Sequence, residues 1–176
     1  MRFTRQLGFL SAFLLWAASL SAHAQDVYHS PGPWWSDSAQ SFDIGSLQGT
    51  PTVVTMAYGA CRKICSTSLR VLEKVQALAD EKNLKLNFVV VSLDPQQDKP
   101  ADWAAFRLER KLTRANWRFL SGDAASTREL ARRLNVRYWR YGEHTMHDFK
   151  IVLLSADGKL LRSMEAFDDS PARLLP

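Results

Sequence analysis

The chain has 176 residues, with 23 Lys and Arg against 18 Asp and Glu for a formal charge of +5, and its basic residues alternate with acids along helical stretches. No basic stripe with interleaved stacking aromatics is present, which excludes a nucleic-acid reader, and a solvated helix face accounts for the charge. The length suits one domain that buries a single core without disulfide staples, and the only two cysteines, Cys61 and Cys65, close too small a loop to act as one.

The chain opens like a secretion signal. Arg2 and Arg5 give a positive start, an apolar run follows over residues 7–20, and Ala22-His23-Ala24 offers small residues for cleavage before Gln25. Cleavage lowers the formal charge to about +3. The expectation is an exported, periplasmic, soluble domain over residues 25–176; the alternative is a membrane anchor formed by residues 7–20 if the segment is retained. No cysteine lies in the signal, which argues against a lipid anchor.

Pro31-Gly32-Pro33-Trp34-Trp35 reads as an ordered lead-in loop whose tryptophans cover a core edge. Residues 52–58 (TVVTMAY) form a β-branched, apolar run between Gly49 and Gly59, the pattern of a buried central strand. The thiol pair comes next, and from Ser66 the spacing of Leu69, Leu72, Val75 or Gln76, and Leu78 or Ala79 predicts a helix ending near Asn83. Residues 85–93 (KLNFVVVSL) predict a second buried strand stopped by Asp94-Pro95, and residues 101–112 a helix announced by Pro100. A short strand at 117–120, turn residues Ser121-Gly122-Asp123 and a helix at 126–134 follow. Tyr138, Trp139 and Tyr141 read as a hydrophobic lid, and residues 143–148 as a loop. Residues 149–154 and 159–164 form a hairpin about Asp157-Gly158. This order implies an α/β domain with a mixed central sheet flanked by helices.

The two cysteines therefore sit where a strand turns into a helix. Unpaired N–H groups and the positive end of the helix dipole favour thiolate there, and Arg62 and Lys63 add positive charge. Across residues 61–65 an i, i+4 pair projects to one side, placed to share one metal ion or to oxidise to a strained, reducible Cys61–Cys65 disulfide. A closed structural zinc site would need four ligands, and the mature chain supplies no further cysteine and three histidines. Two soft thiolates with one imidazole suit copper, as Cu(I) or Cu(II). His29 reads as a solvated loop residue, leaving His144 and His147 as candidates for the third ligand. Asp94 reads first as a turn former and Met146 as a packing residue.

These residues resemble the Sco/SenC family of thioredoxin-like copper chaperones associated with cytochrome c oxidase assembly. The resemblance runs over about residues 42–164 and rests on Gly49, the Cys61-x-x-x-Cys65 pair, the Val89-Val90-Val91-Ser92-Leu93-Asp94-Pro95 segment and a histidine ahead of Asp157-Gly158. It implies a single thioredoxin-like domain, a three-layer sandwich. It also implies one copper ion held by Cys61, Cys65 and His147, since the family's ligand histidine stands eleven residues before the hairpin glycine; His144 is the reserve. The partners implied are a cytochrome oxidase subunit or another copper chaperone, with no nucleic acid, with the membrane met only through the partner or a retained signal, and with the chain as a monomer. The enzymatic alternative is a thiol-disulfide oxidoreductase using Cys61 and Cys65 on the cysteines of a copper-site protein. Three departures stand out: Arg62-Lys63 and Ser66 occupy places where the family often has Pro-Asp and usually has proline, Asp148 replaces a small hydroxyl residue, and Ser170-Pro171-Ala172 begins a final helix with little chain after it.

Overall fold

The computed structural model describes residues 26–59 and 64–176, the side chains of 64–66 excepted. The proposed signal therefore lies outside the described residues, as does Cys61.

Six strands form the main sheet: β1 (Trp34–Ser36), β2 (Thr52–Ala57), β3 (Asn87–Ser92), β4 (Trp117–Gly122), β7 (Ile151–Leu154) and β8 (Leu160–Met164), in the order β1-β4-β3-β2-β7-β8. A separate ribbon pairs β5 (Tyr138–Tyr141) with β6 (His144–His147). The centre of the main sheet is parallel, β2 with β3 and β3 with β4, while β1, β7 and β8 pair antiparallel. Burial explains the composition: strands covered on both faces read as unbroken apolar runs, and every residue of β2 is buried.

Helices α1 (Ile64–Glu81), α2 (Pro100–Glu109) and α3 (Ala124–Leu134) supply the covering layers. On one face Phe88 stacks on Trp117 at 5.2 Å, Phe119 meets Trp103 of α2 at 5.3 Å, and Gln76 of α1 accepts the Trp117 indole N–H at 3.0 Å. Val89, Val91 and Leu120 on the other face are equally buried, and α3, which contacts β4, turns Leu130, Ala131 and Leu134 into the core. Helix α3 begins with Asp123 accepting the Ser126 N–H and ends at Asn135 in the left-handed region, φ 54°. This is the predicted α/β sandwich with a mixed sheet.

Three local features differ from expectation. Trp34 is not loop but part of an edge strand, where it is buried beside β4, while Trp35 points out. Residues 144–147 form a strand instead of a loop, closed to β5 by a two-residue turn in which Gly142 has φ 59°. The final helix is one 3-10 turn, Pro171–Arg173, and the work of a longer helix falls to Leu174 and Leu175, both buried. The predicted β7–β8 hairpin does form, and Gly158 at its turn has φ 81° with Asp26 and Tyr28 packed where a Cβ would stand.

Candidate metal centre

Topology decides which residues can meet. Because β2 and β3 are parallel, their C-terminal ends lie together, and because β7 runs antiparallel to β2, the segment entering β7 arrives at that same end. Gly59, Asp94 and His147 thereby come to one edge of the sheet from three distant parts of the chain. Thr55 ties the junction by donating to the Lys150 carbonyl at 2.7 Å.

His147 is 7 % exposed, on the inward face of β6. Its ring meets Tyr58 edge-on, centroids 6.1 Å apart at 83°, and Tyr58 stands three residues before Cys61. Nδ1 lies 2.8 Å from the Asp148 carbonyl oxygen. A carbonyl only accepts, so Nδ1 carries the proton and Nε2 is the nitrogen with the lone pair, and the hydrogen bond to the Asp148 carbonyl fixes both tautomer and ring orientation. Cys65 lies in the first turn of α1. His144 is exposed on β6 and borders a cleft of about 440 Å³ with Tyr58, Asp94, Gln97, Asp98, Arg140 and Glu143. His29, exposed and paired with Asp26, belongs to the distant lead-in segment, as its solvated reading predicts. Among the described residues no group of three or more His, Cys, Asp or Glu is placed to hold a metal.

Asp98 is the residue that sequence reasoning missed. It is 4 % exposed; Oδ1 accepts the Gly59 N–H at 2.9 Å and Oδ2 accepts the Ser92 hydroxyl at 2.6 Å, while the Ser121 hydroxyl donates to its carbonyl. One carboxylate thus joins the end of β3 to the backbone leading to Cys61. A Cβ on Gly59 would stand 2.8 Å from Asp98 Oδ1, so glycine is required for that approach. Burial pushes the Asp98 carboxyl up to about 6, against the lowering effect of the Ser92 and Gly59 hydrogen bonds. Its signal in sequence was only a polar turn after Pro95, indistinguishable from an ordinary loop acid.

Asp94 proves to be both turn former and site neighbour. Its carbonyl accepts the Gln97 and Asp98 N–H groups, and its carboxylate takes the Arg140 guanidinium at 2.9 Å, fastening β5 to the end of β3. At the base of the ribbon Arg137 donates to both Asp148 oxygens, and this hydrogen bonding holds the Asp148 carboxyl below the usual carboxylate range. The departure at Asp148 therefore has a structural use: it clamps the strand carrying His147. The aromatic lid expected at residues 138–141 is not a lid, since Trp139 and Tyr141 are 51 % and 73 % exposed.

Comparison with known proteins follows the same outline. The family model SCO1/SenC matches residues 34–175. A SCO1 protein homolog of Bacillus subtilis (strain 168) is 22 % identical over 145 residues, covering 80 % of this chain and 75 % of its own length. Bradyrhizobium japonicum ScoI with copper bound superposes with a TM-score of 0.65 at 24 % identity, over 80 % of this chain and 90 % of that one. BsSco, a member of the Sco family of cytochrome c oxidase assembly proteins with a disulfide switch, gives a TM-score of 0.68 at 21 % identity, over 78 % and 83 %. At these identities the solved structures establish a shared fold.

Proposed function

The chain belongs to the SCO1/SenC family, and on that premise we propose that it is an exported metallochaperone that binds one copper ion through Cys61, Cys65 and His147 and hands it to the copper site of a respiratory oxidase, directly or through another copper chaperone. The observation that carries this reading is His147 itself: an inward imidazole, edge-on to Tyr58 beside the cysteine segment, with Nδ1 committed to the Asp148 carbonyl. Two thiolates and an Nε2 donor make a soft, low-coordination site suited to copper as cargo. Copper bound in Bradyrhizobium japonicum ScoI supports the same choice.

Residues 1–24 would direct export and be removed before Gln25, with a retained anchor at residues 7–20 as the alternative. Among the described residues no helix is long and apolar enough to cross a membrane. The mature domain would act as a monomer.

A thiol-disulfide oxidoreductase that reduces the cysteines of a copper-site partner is the second reading. It is favoured by Cys65 in the first turn of α1, where a helix N-terminus stabilises thiolate, and by the disulfide switch of BsSco. A Cys61–Cys65 disulfide would form on oxidation.

Metal analysis of reduced protein, combined with oxidase assembly in cells, tests both readings. The chaperone should bind about one Cu(II) with a thiolate-to-copper charge-transfer band. Cys61→Ser with Cys65→Ser should abolish the band, and His147→Ala should weaken Cu(II) binding far more than His144→Ala. In cells His147→Ala should be nearly as defective as loss of both thiols, with partial rescue by added copper. Normal assembly with His147→Ala beside failure of the double cysteine variant would make the oxidoreductase the main role.

A further inference from the structure

Strand β6 carries a histidine on each of its faces. Thr145 and His147 are buried, whereas His144 and Met146 are exposed. In the paired register Trp139 lies opposite Met146 and Tyr141 opposite His144, and both aromatic residues are exposed as well. The outward face of this ribbon therefore gathers a thioether, an imidazole and an indole, with Met146 38 % exposed and not absorbed into the core. The inward side is fastened by Arg140, which bonds Asp94 and reaches the Thr145 hydroxyl, and by the Arg137–Asp148 pair at the base. Those contacts hold the ribbon against the domain and leave Trp139, Tyr141 and Met146 presented to solvent, with His144 exposed at the rim of the cleft it shares with Arg140 and Asp94.

We propose that this outer face is a second metal site, taking a soft monovalent cation, Cu(I), between Met146 Sδ and the His144 imidazole beside the Trp139 ring. Residues i and i+2 of a strand share a face about 6.5–7 Å apart, a span that two flexible side chains close around one ion. A thioether selects Cu(I) over harder cations, and an indole face stabilises a cation held next to it. Directly opposed residues also lie close enough for the Trp139 ring to cover the Met146 sulfur. The competing role is structural: a Met–Trp cross-strand pair that only stiffens a two-stranded ribbon. Where the ribbon also carries copper to the thiol site, a step that rests on the function proposed above, the metal passes by ligand exchange. It stays Cu(I), and the thioether and outer imidazole are replaced by thiolates without any change of redox state.

The test uses the full chain carrying Cys61→Ser and Cys65→Ser, so that its outcome does not depend on the thiol site. The protein is titrated anaerobically with Cu(I) against bicinchoninate, and with Ag(I) as a redox-inert probe followed by the Met146 methyl and His144 ring resonances. Uptake of one Cu(I), with tryptophan quenching and shifts confined to those two side chains, is the expected result. Met146→Leu and His144→Ala should each lower the affinity at least about tenfold, with circular dichroism unchanged, and Trp139→Leu should remove most of the quenching. No uptake, uptake unchanged by Met146→Leu and His144→Ala, or shifts centred on another methionine would overturn the site and leave the Met–Trp cross-strand pair with a purely structural role.

Discussion

The central strands and the β5–β6 ribbon are built on opposite terms. In β2, β3 and β4 both faces are covered, the side chains are apolar, and position follows from packing. The ribbon has two strands, one face in water, and ties made by guanidinium–carboxylate pairs. The first arrangement holds its geometry through area removed from water, whereas the second is held by a few directional contacts that a single substitution can release. Putting a candidate ligand on the second kind of element lets the imidazole be oriented without making it part of the core, and two strands alone are marginal without such anchoring.

The sharpest way to break this contrast is to cut into the core. Phe119→Ala removes a ring packed against Trp103, Phe106 and Trp117 and should cost about 3–5 kcal/mol in denaturant unfolding; a loss below 1 kcal/mol would mean the face is far less tightly packed than its burial implies.

Asp98 lies between the two regimes, a buried polar tie at the core's edge. Its carboxyl is raised to about 6 from 3.8, so the folded state holds a proton that the unfolded chain has already released. Its contribution to stability is therefore fully present below about pH 4 and is lost as pH rises through about 6, a swing on the order of 3 kcal/mol. Asp98→Asn keeps an acceptor for the Gly59 N–H and removes the titration. Unfolding at pH 4 and pH 7.5 should show the difference between wild type and variant changing by that order, and an unchanged difference would place Asp98 in a more hydrated setting than its 4 % exposure indicates.

The smallest effect belongs to the ribbon. Arg137→Ala breaks a mostly exposed pair with Asp148 and should cost under about 1 kcal/mol globally. It should nevertheless speed amide exchange in residues 144–147 relative to β2, because local opening is governed by local ties. Equal acceleration in β2 would show that ribbon and sheet open as one unit.

The fold was largely legible in the chain because fully buried strands and amphipathic helices leave long one-dimensional patterns. The VVTMA and FVVVS runs and the leucine spacing of α1 each point to one element, and β2, β3 and α1 appear where those patterns lie. The ribbon escaped because its pattern is four residues long on each side of Gly142 and its aromatics, read as a lid, resemble core when orientation is unknown. Trp34 escaped for a related reason: a three-residue edge strand has too few alternations to declare a period.

Residue chemistry and spacing alone determined that the domain is α/β and pointed to a cysteine pair following a buried strand at the start of a helix, with His144 and His147 as the histidines whose segment leads into a strand of the same sheet. Which face each histidine takes was decided only by pairing β6 with β5, since a shift of one residue in register exchanges His147 and Thr145 for His144 and Met146. Tertiary structure likewise brought Asp98 beneath Gly59 across a separation of 39 residues, a contact with no local pattern, because a buried hydrogen bond between distant segments depends on the path of the whole sheet.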